Sequence, residues 1–170
     1  MKLKTAGEMM IPLDRYPHMP YWFTLRQAIA EMQQSEFDIG GRKSLPRVVL
    51  VFNEEYQLLG IARRRDILRG LEPTYLSKAP MHTHGEEQSP NPAELSFDRL
   101  VAGVRERAER PIQDVLVPIQ VTADVDDNIM VLINLMVDHN VHLLPVLKEG
   151  SVVGVIRTVE VFHEVGELVG

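Results

Sequence analysis

Two arginines at matching places in the chain carry its clearest chemistry. Arg63 is followed three residues later by Asp66, and Arg157 by Glu160; each arginine comes just after an apolar stretch closing on glycine, Gly60 or Gly154. A guanidinium presents a planar fork of charged donors that suits a phosphate chain. The same fork pairs with a carboxylate three residues along a helix. The residues therefore admit two readings: an anion site built from two repeated cations, or two internal ion pairs. Other reactive groups are less organised. The histidines His18, His82, His84, His139, His142 and His163 are scattered, and none stands in H-E-x-x-H spacing. There is no G-x-S-x-G elbow, and without cysteine there is no thiol nucleophile, thiolate metal site or disulfide framework. Gly40-Gly41-Arg42-Lys43-Ser44 lacks the full phosphate-loop spacing, and no helix follows it. His82, His84, Glu86 and Glu87 are metal-type residues on a stretch that offers nothing to hold them in place. No catalytic constellation is present, and the chain reads as non-enzymatic.

The elements that position the arginines occur twice. Residues 142–162 read as a strand through Pro145-Val146, a polar hairpin at Lys148 to Ser151, an apolar strand Val152 to Ile156 and a helix with Val161, Phe162 and Val165 inward. Residues 50–68 repeat that order at a constant offset, which aligns Gly60 with Gly154, Arg63 with Arg157 and Asp66 with Glu160. Upstream, Leu25, Ala28, Ile29 and Met32 share helical spacing with Ile129, Leu132, Ile133 and Met136. Thr24 with Gln27 forms a capping box for the first of these helices, and Asp126 to Asn128 start the second. A third echo relates Gly7 to Pro12 with Gln113 to Pro118. The offsets differ because the first copy carries an insert, Asp38 to Arg47, whose Gly40-Gly41 and cations read as a flexible loop. The chain is a two-copy repeat.

This order of short apolar motif ending in proline, helix, "LPV", acidic turn, apolar strand ending in glycine, and acid-started helix resembles the cystathionine-β-synthase (CBS) domain. Two copies resemble the tandem CBS module, over residues 5 to 73 and 108 to 168. Repeat 1 departs from the pattern, since Leu50-Val51-Phe52 stands where Leu144-Pro145-Val146 does. The resemblance implies an α/β (α+β) fold of two β-α-β-β-α repeats with approximate twofold symmetry, joined by a linker and an extra helix. Repeat 1 spans 1–73, the linker and connecting helix 74–107, and repeat 2 108–170, with the sheets expected to pack through the helices Thr24 to Gln34 and Asn128 to Asp138. It also implies a ligand cleft. In this family the residue three after the strand-ending glycine is often Ser or Thr facing a phosphate, and the acid six after it holds ribose hydroxyls. Asp66 matches that acid, Glu160 fills the same place one methylene longer, and Arg63 and Arg157 replace the hydroxyl residue. Either the arginines take the phosphates or their bulk closes the pocket. Thr158, with Arg64 its counterpart, stands one residue later; Tyr16, His18 and His142 are the remaining ligand-binding candidates.

The rest of the chain is read around these repeats. Asp14 to Phe23 is expected to be irregular because of Pro17 and Pro20, with Tyr16, Tyr21, Trp22 and Phe23 packing between the halves or walling a stacked base. Ser77 to Pro92 reads as an exposed linker, and Asn91, Pro92 and Glu94 start a helix whose inner stripe is Phe97, Leu100, Val101, Val104 and Ala108, with Arg99, Arg105, Arg107 and Arg110 solvated. His163 reads as a surface partner of Glu160 or Glu164. The 170 residues, 45% hydrophobic, support two interlocked halves. The net charge of −6 argues against coating nucleic acid. No long apolar run or leader-type start occurs, so the chain reads as soluble and cytoplasmic, without a membrane partner. The expected function is a sensor that binds AMP, ADP, ATP or S-adenosylmethionine and regulates an unidentified protein. The alternative is an interaction module with empty, degenerate clefts. Apolar residues around more than one face of 129–137 and 159–168 predict a homodimer.

Overall fold

The computed structural model describes residues 2–72 and 97–170. The linker Ser77 to Pro92, the residues His82, His84, Glu86 and Glu87, and the helix start Asn91 to Glu94 lie outside the described residues. In chain order the elements are α1 (Ala6–Met9), β1 (Ile11–Pro12), β2 (His18–Pro20), α2 (Leu25–Gln34), β3 (Phe37–Ile39), β4 (Arg42–Ser44), β5 (Val48–Phe52), β6 (Leu58–Arg63) and α3 (Arg64–Leu71). After them come α4 (Phe97–Arg107), β7 (Ala123–Asp124), α5 (Ile129–His139), β8 (Leu143–Lys148), β9 (Ser151–Arg157) and α6 (Thr158–Val169). One sheet has the order β2-β5-β6, the other β1-β9-β8-β7, and β3 and β4 form a separate hairpin.

Local chemistry sets the element ends. The Thr24 hydroxyl accepts the Gln27 amide at 3.1 Å while the Gln27 side chain accepts the Thr24 amide at 2.9 Å, closing the expected capping box of α2. Asn128 caps α5 by accepting from the Met130 and Val131 amides. Glu149 and Gly150, with φ of 51° and 83°, make the two-residue turn between β8 and β9. Both long hairpins carry an irregularity at the same place, between Val51 and Phe52 and between Val146 and Leu147.

The repeats exchange their leading segments. β1 pairs with β9 of the other repeat, placing Ile11 opposite Val155, while Val117 and Ile61 exchange backbone hydrogen bonds of 2.8 and 2.9 Å. The entry to each segment is matched as well: the Ala6 amide donates to the Asp127 carbonyl at 2.7 Å, and the Ile112 amide to the Phe23 carbonyl at 2.6 Å. Gly154 and Gly60 make this approach possible. A Cβ on Gly154 would lie 2.5 Å from the Ile11 carbonyl oxygen, and one on Gly60 2.6 Å from that of Val117. Each outer core therefore mixes the copies. Ala6 and Met9 pack with Ile129, Leu132, Leu144 and Ile156, and Ile112 and Val115 pack with Leu25, Ala28, Val49 and Val51. The packing thus joins segments from the two copies of the repeat.

Several expectations are corrected by tertiary contacts. The sheets do not meet through helices: strand alternation sends Val49 and Val51 toward the helices and turns Leu50 and Phe52 inward, where they meet Leu143, Val155 and Ile11. The helices cover the outer faces. Asp14 to Phe23 is not wholly irregular, because β2 pairs in parallel with β5. Its inward ladder uses the Pro17 carbonyl and the Tyr21 amide, so Pro20 lacks an N–H only on the open edge. The insert is not a flexible loop. Gly40 and Gly41, with φ of 59° and 86°, turn β3 into β4, and Phe37 is buried. In α4, Phe97 and Val104 are exposed, and Arg107 is not simply solvated, since its Nε donates to the Gly70 carbonyl at 3.1 Å. Trp22 is exposed too, whereas Tyr16 is buried.

Candidate functional site

The first corner forms where β6 hands over to α3. Arg63 ends the strand in extended conformation and serves as the helix N-cap, which puts Asp66 at the third helical position and beneath its own N-cap. The Asp66 carboxylate accepts the Arg63 amide at 3.0 Å, Arg63 Nε at 2.7 Å, Arg63 Nη2 at 3.0 Å and Arg69 Nη2 at 2.9 Å. Burial alone would raise this carboxyl, but the hydrogen bonds from the Arg63 side chain and backbone and from Arg69 hold it below its usual range. Arg63 is correspondingly pushed up by its bond to Asp66. The Asp66 side chain is fully buried, while that of Arg63 is 41% exposed.

The second corner, where β9 hands over to α6, repeats the geometry and closes it. Glu160 accepts the Arg157 amide at 2.7 Å and Nε at 3.1 and 2.9 Å, and also pairs with Arg157 Nη2. Here both side chains are buried, Arg157 at 8% and Glu160 at 6% exposure. The cover comes from the insert. The Arg157 guanidinium lies 4.9 Å from the centroid of the Phe37 ring, its Nη1 donates to Ser44 Oγ at 3.1 Å, and Gly40 lies so close to His163 that a Cβ there would sit 2.6 Å from the imidazole. His163 thus supports the hairpin, in place of the expected pairing with Glu160 or Glu164. Glu164 pairs with Lys4 at 2.6 Å.

The two corners are linked by aromatic rings. Tyr16 stacks on Phe37 with centroids 5.5 Å apart and planes 7° off parallel, and its hydroxyl donates to the Val48 carbonyl at 2.6 Å, opposite Arg63 in the ladder. Burial pushes the Tyr16 phenol far above its ordinary value. Tyr16, Arg157 and Glu160 are therefore brought together, with Phe37 and Ser44, which the sequence reading did not single out. The Gly-Gly turn with flanking short strands was their only signal. Thr158 and His142 meet through the backbone, the Thr158 amide donating to the His142 carbonyl at 3.0 Å. Arg64 Nη2 turns aside to the Pro46 carbonyl at 3.1 Å. His18 stands apart from both corners, held by Tyr16 O and the Tyr56 hydroxyl at 2.8 and 2.9 Å. Among the described residues every buried side-chain nitrogen and oxygen has a hydrogen-bond partner, and no group of three or more His, Asp or Glu converges as a metal site. Among them, too, no helix is long and apolar enough to cross a membrane.

Comparison with known proteins bears on this arrangement. No curated protein matches the sequence. The family model for the CBS domain matches residues 112–167. A putative acetoin utilization protein (AcuB) from Vibrio cholerae has the same fold, with a TM-score of 0.64 and 18% identity over 99% of this chain and 94% of that one. The Arabidopsis thaliana CBS-pair protein CBSX2, solved in complex with AMP, gives 0.62 and 13% over 98% and 99%. The CBS domain of a bacterial CNNM/CorC family Mg2+ transporter, solved in complex with ATP, gives 0.61 and 16% over 96% and 87%. The chain thus has the tandem CBS-domain fold, and its second repeat matches the CBS domain by sequence.

Proposed function

We propose that the chain is a non-catalytic, cytoplasmic regulatory module that binds an adenine nucleotide in the cleft between its repeats. Support comes from structures of the same fold solved with AMP and with ATP. Within this chain, one observation carries the placement: the first corner is half open, with Arg63 41% exposed, while the second is shut. A nucleotide phosphate draws Arg63 away from Asp66, and the freed carboxylate oxygen accepts a ribose hydroxyl while Arg69 and the Arg63 amide keep Asp66 charged. The exchange leaves the buried Asp66 carboxylate paired with Arg69 and the Arg63 amide, and each charged hydrogen bond gained to phosphate contributes about 1.5–3 kcal/mol. Arg157 and Glu160 meet a nucleotide only with the hairpin withdrawn.

A second copy of the chain is the partner proposed for the helical face. Met130 and Val137 on α5 and Val159, Phe162 and Val169 on α6 are exposed apolar residues at helical spacing. A twofold contact needs only one such self-complementary surface.

A second reading, an interaction module with empty clefts, is favoured by the complete pairing of the buried polar groups. Melting temperatures with AMP, ADP, ATP and S-adenosylmethionine separate the two, since a ligand that binds the folded state raises the midpoint. In calorimetry, Arg63→Ala weakens the nucleotide by roughly tenfold to a hundredfold, and Arg157→Ala leaves its affinity unchanged if folded. No shift with any of the four ligands leaves the interaction module standing.

A further inference from the structure

A second site, away from the two arginine corners, opens at the other end of β5. A groove of about 290 Å³ lies between β2, Trp22 and the turn that joins β5 to β6, lined by His18, Trp22, Phe52, Asn53, Glu54 and Tyr56 among others. Phe52 and Tyr56 have ring centroids 5.0 Å apart, and His18 packs edge-on to both, at 5.8 and 6.1 Å. Trp22 stands with its indole against Tyr21 at 5.1 Å. Two of these rings are left to solvent, Trp22 at 54% and Tyr56 at 62% exposure. Tyr56 also holds a left-handed φ of 62°, where glycine or asparagine would be at ease. The corresponding turn of repeat 2 is the tight Glu149-Gly150 pair, without any aromatic residue.

The charges and hydrogen bonds of the groove narrow what fits it. Among the described residues, Glu54 is the one carboxylate in the lining, and no Lys or Arg lines the groove. The neighbouring Tyr21 phenol is held above its ordinary value by Glu54. The side-chain acceptors Asn53 Oδ1 and His18 Nε2 are already used. Asn53 Oδ1 accepts the Glu55 and Gln57 amides at 2.8 and 2.9 Å. Because His18 Nδ1 faces a carbonyl, it carries the ring proton, and Nε2 takes the Tyr56 hydroxyl proton. An anion has no donor cluster to meet it, and a primary ammonium brings three N–H groups to a wall of rings. A quaternary ammonium brings charge without donors, and ring faces beside a carboxylate are what attract it.

We propose that this groove binds the methylated ammonium group of a small free molecule, with Trp22 and Tyr56 supplying ring faces, Phe52 backing Tyr56 from the core, and Glu54 the counter-charge. The site is independent of the nucleotide cleft. Trp22 is the chain's only tryptophan, so its fluorescence reports on the groove directly. The full chain is titrated with choline chloride and tetramethylammonium chloride at constant ionic strength, against the carbon isostere of choline and against methylammonium. The expected result is a saturable change with both quaternary ions and roughly tenfold weaker binding of the uncharged isostere. Glu54→Gln weakens the quaternary ions, and Tyr56→Gly, which suits the local backbone and spares the turn, removes saturation. Equal binding of the isostere, tighter binding of methylammonium, an unchanged response in Tyr56→Gly, or no saturable response overturns the proposal. Saturation by adenosine in place of choline overturns it as well, and marks the groove as a base-stacking slot.

Discussion

Removing the acid from each arginine corner separates two geometries that share one sequence pattern. In Glu160→Ala the Arg157 guanidinium stays under Phe37 and Ser44 with no counter-charge, at 8% exposure. Leaving a buried charge unpaired costs about 3–5 kcal/mol. In Asp66→Ala the Arg63 side chain, 41% exposed, turns into water. The loss there is chiefly the helix cap, about 0.5–2 kcal/mol. Glu160→Ala should therefore be the more damaging by about 2–3 kcal/mol, a melting difference of roughly 4–12 °C at this chain length. Equilibrium urea unfolding gives the first number and thermal unfolding the second, both followed by far-ultraviolet circular dichroism at one fixed protein concentration. The pairing is tested further by Arg157→Met with Glu160→Leu, which removes both charges and should restore most of the stability. Equal losses in the two single variants would refute the closed second corner, and with it the argument that a nucleotide uses only the first.

Three further outcomes follow from the geometry. Gly154→Ala and Gly60→Ala place a methyl against the Ile11 and Val117 carbonyls, so each should cost about 1–3 kcal/mol, while Gly166→Ala, with open space around it, should be neutral or stabilising in the same unfolding assay. The low Asp66 carboxyl contributes stability that is complete above the ordinary aspartate value, about pH 4, and fades as pH falls through its lower folded value. The urea midpoints of wild type and Asp66→Asn should thus stay a constant distance apart from near-neutral pH down to about pH 5 and converge in stronger acid; a gap that persists there contradicts the assigned ion pair. Phe162→Asp, at a 79% exposed position, should leave the melting curve of the isolated fold intact and shift light scattering from dimer to monomer; a monomeric wild type at tens of micromolar, roughly the range where a weak dimer populates, removes the proposed partner.

The sequence alone determined what depends on a few neighbouring residues. Thr24 with Gln27, Asn128, and Glu149-Gly150 act within one turn of chain, and so were legible as two caps and a hairpin. The repeat was legible because the same local pattern is written twice, and Arg63-Asp66 and Arg157-Glu160 lay open as either anion sites or ion pairs. How far each corner is covered was decided by distant chain. Phe37 and Ser44 reach Arg157 from the other repeat, and nothing in the local sequence marks one corner as shut and the other as half open. The exchange of leading segments was likewise invisible, because an apolar run such as Met9 to Ile11 records that it must be buried but not against which sheet. The same limit placed the sheets face to face. Alternation shows that Leu50 and Val51 point opposite ways, and only the assembled fold decides that one meets Leu143 and the other meets α2.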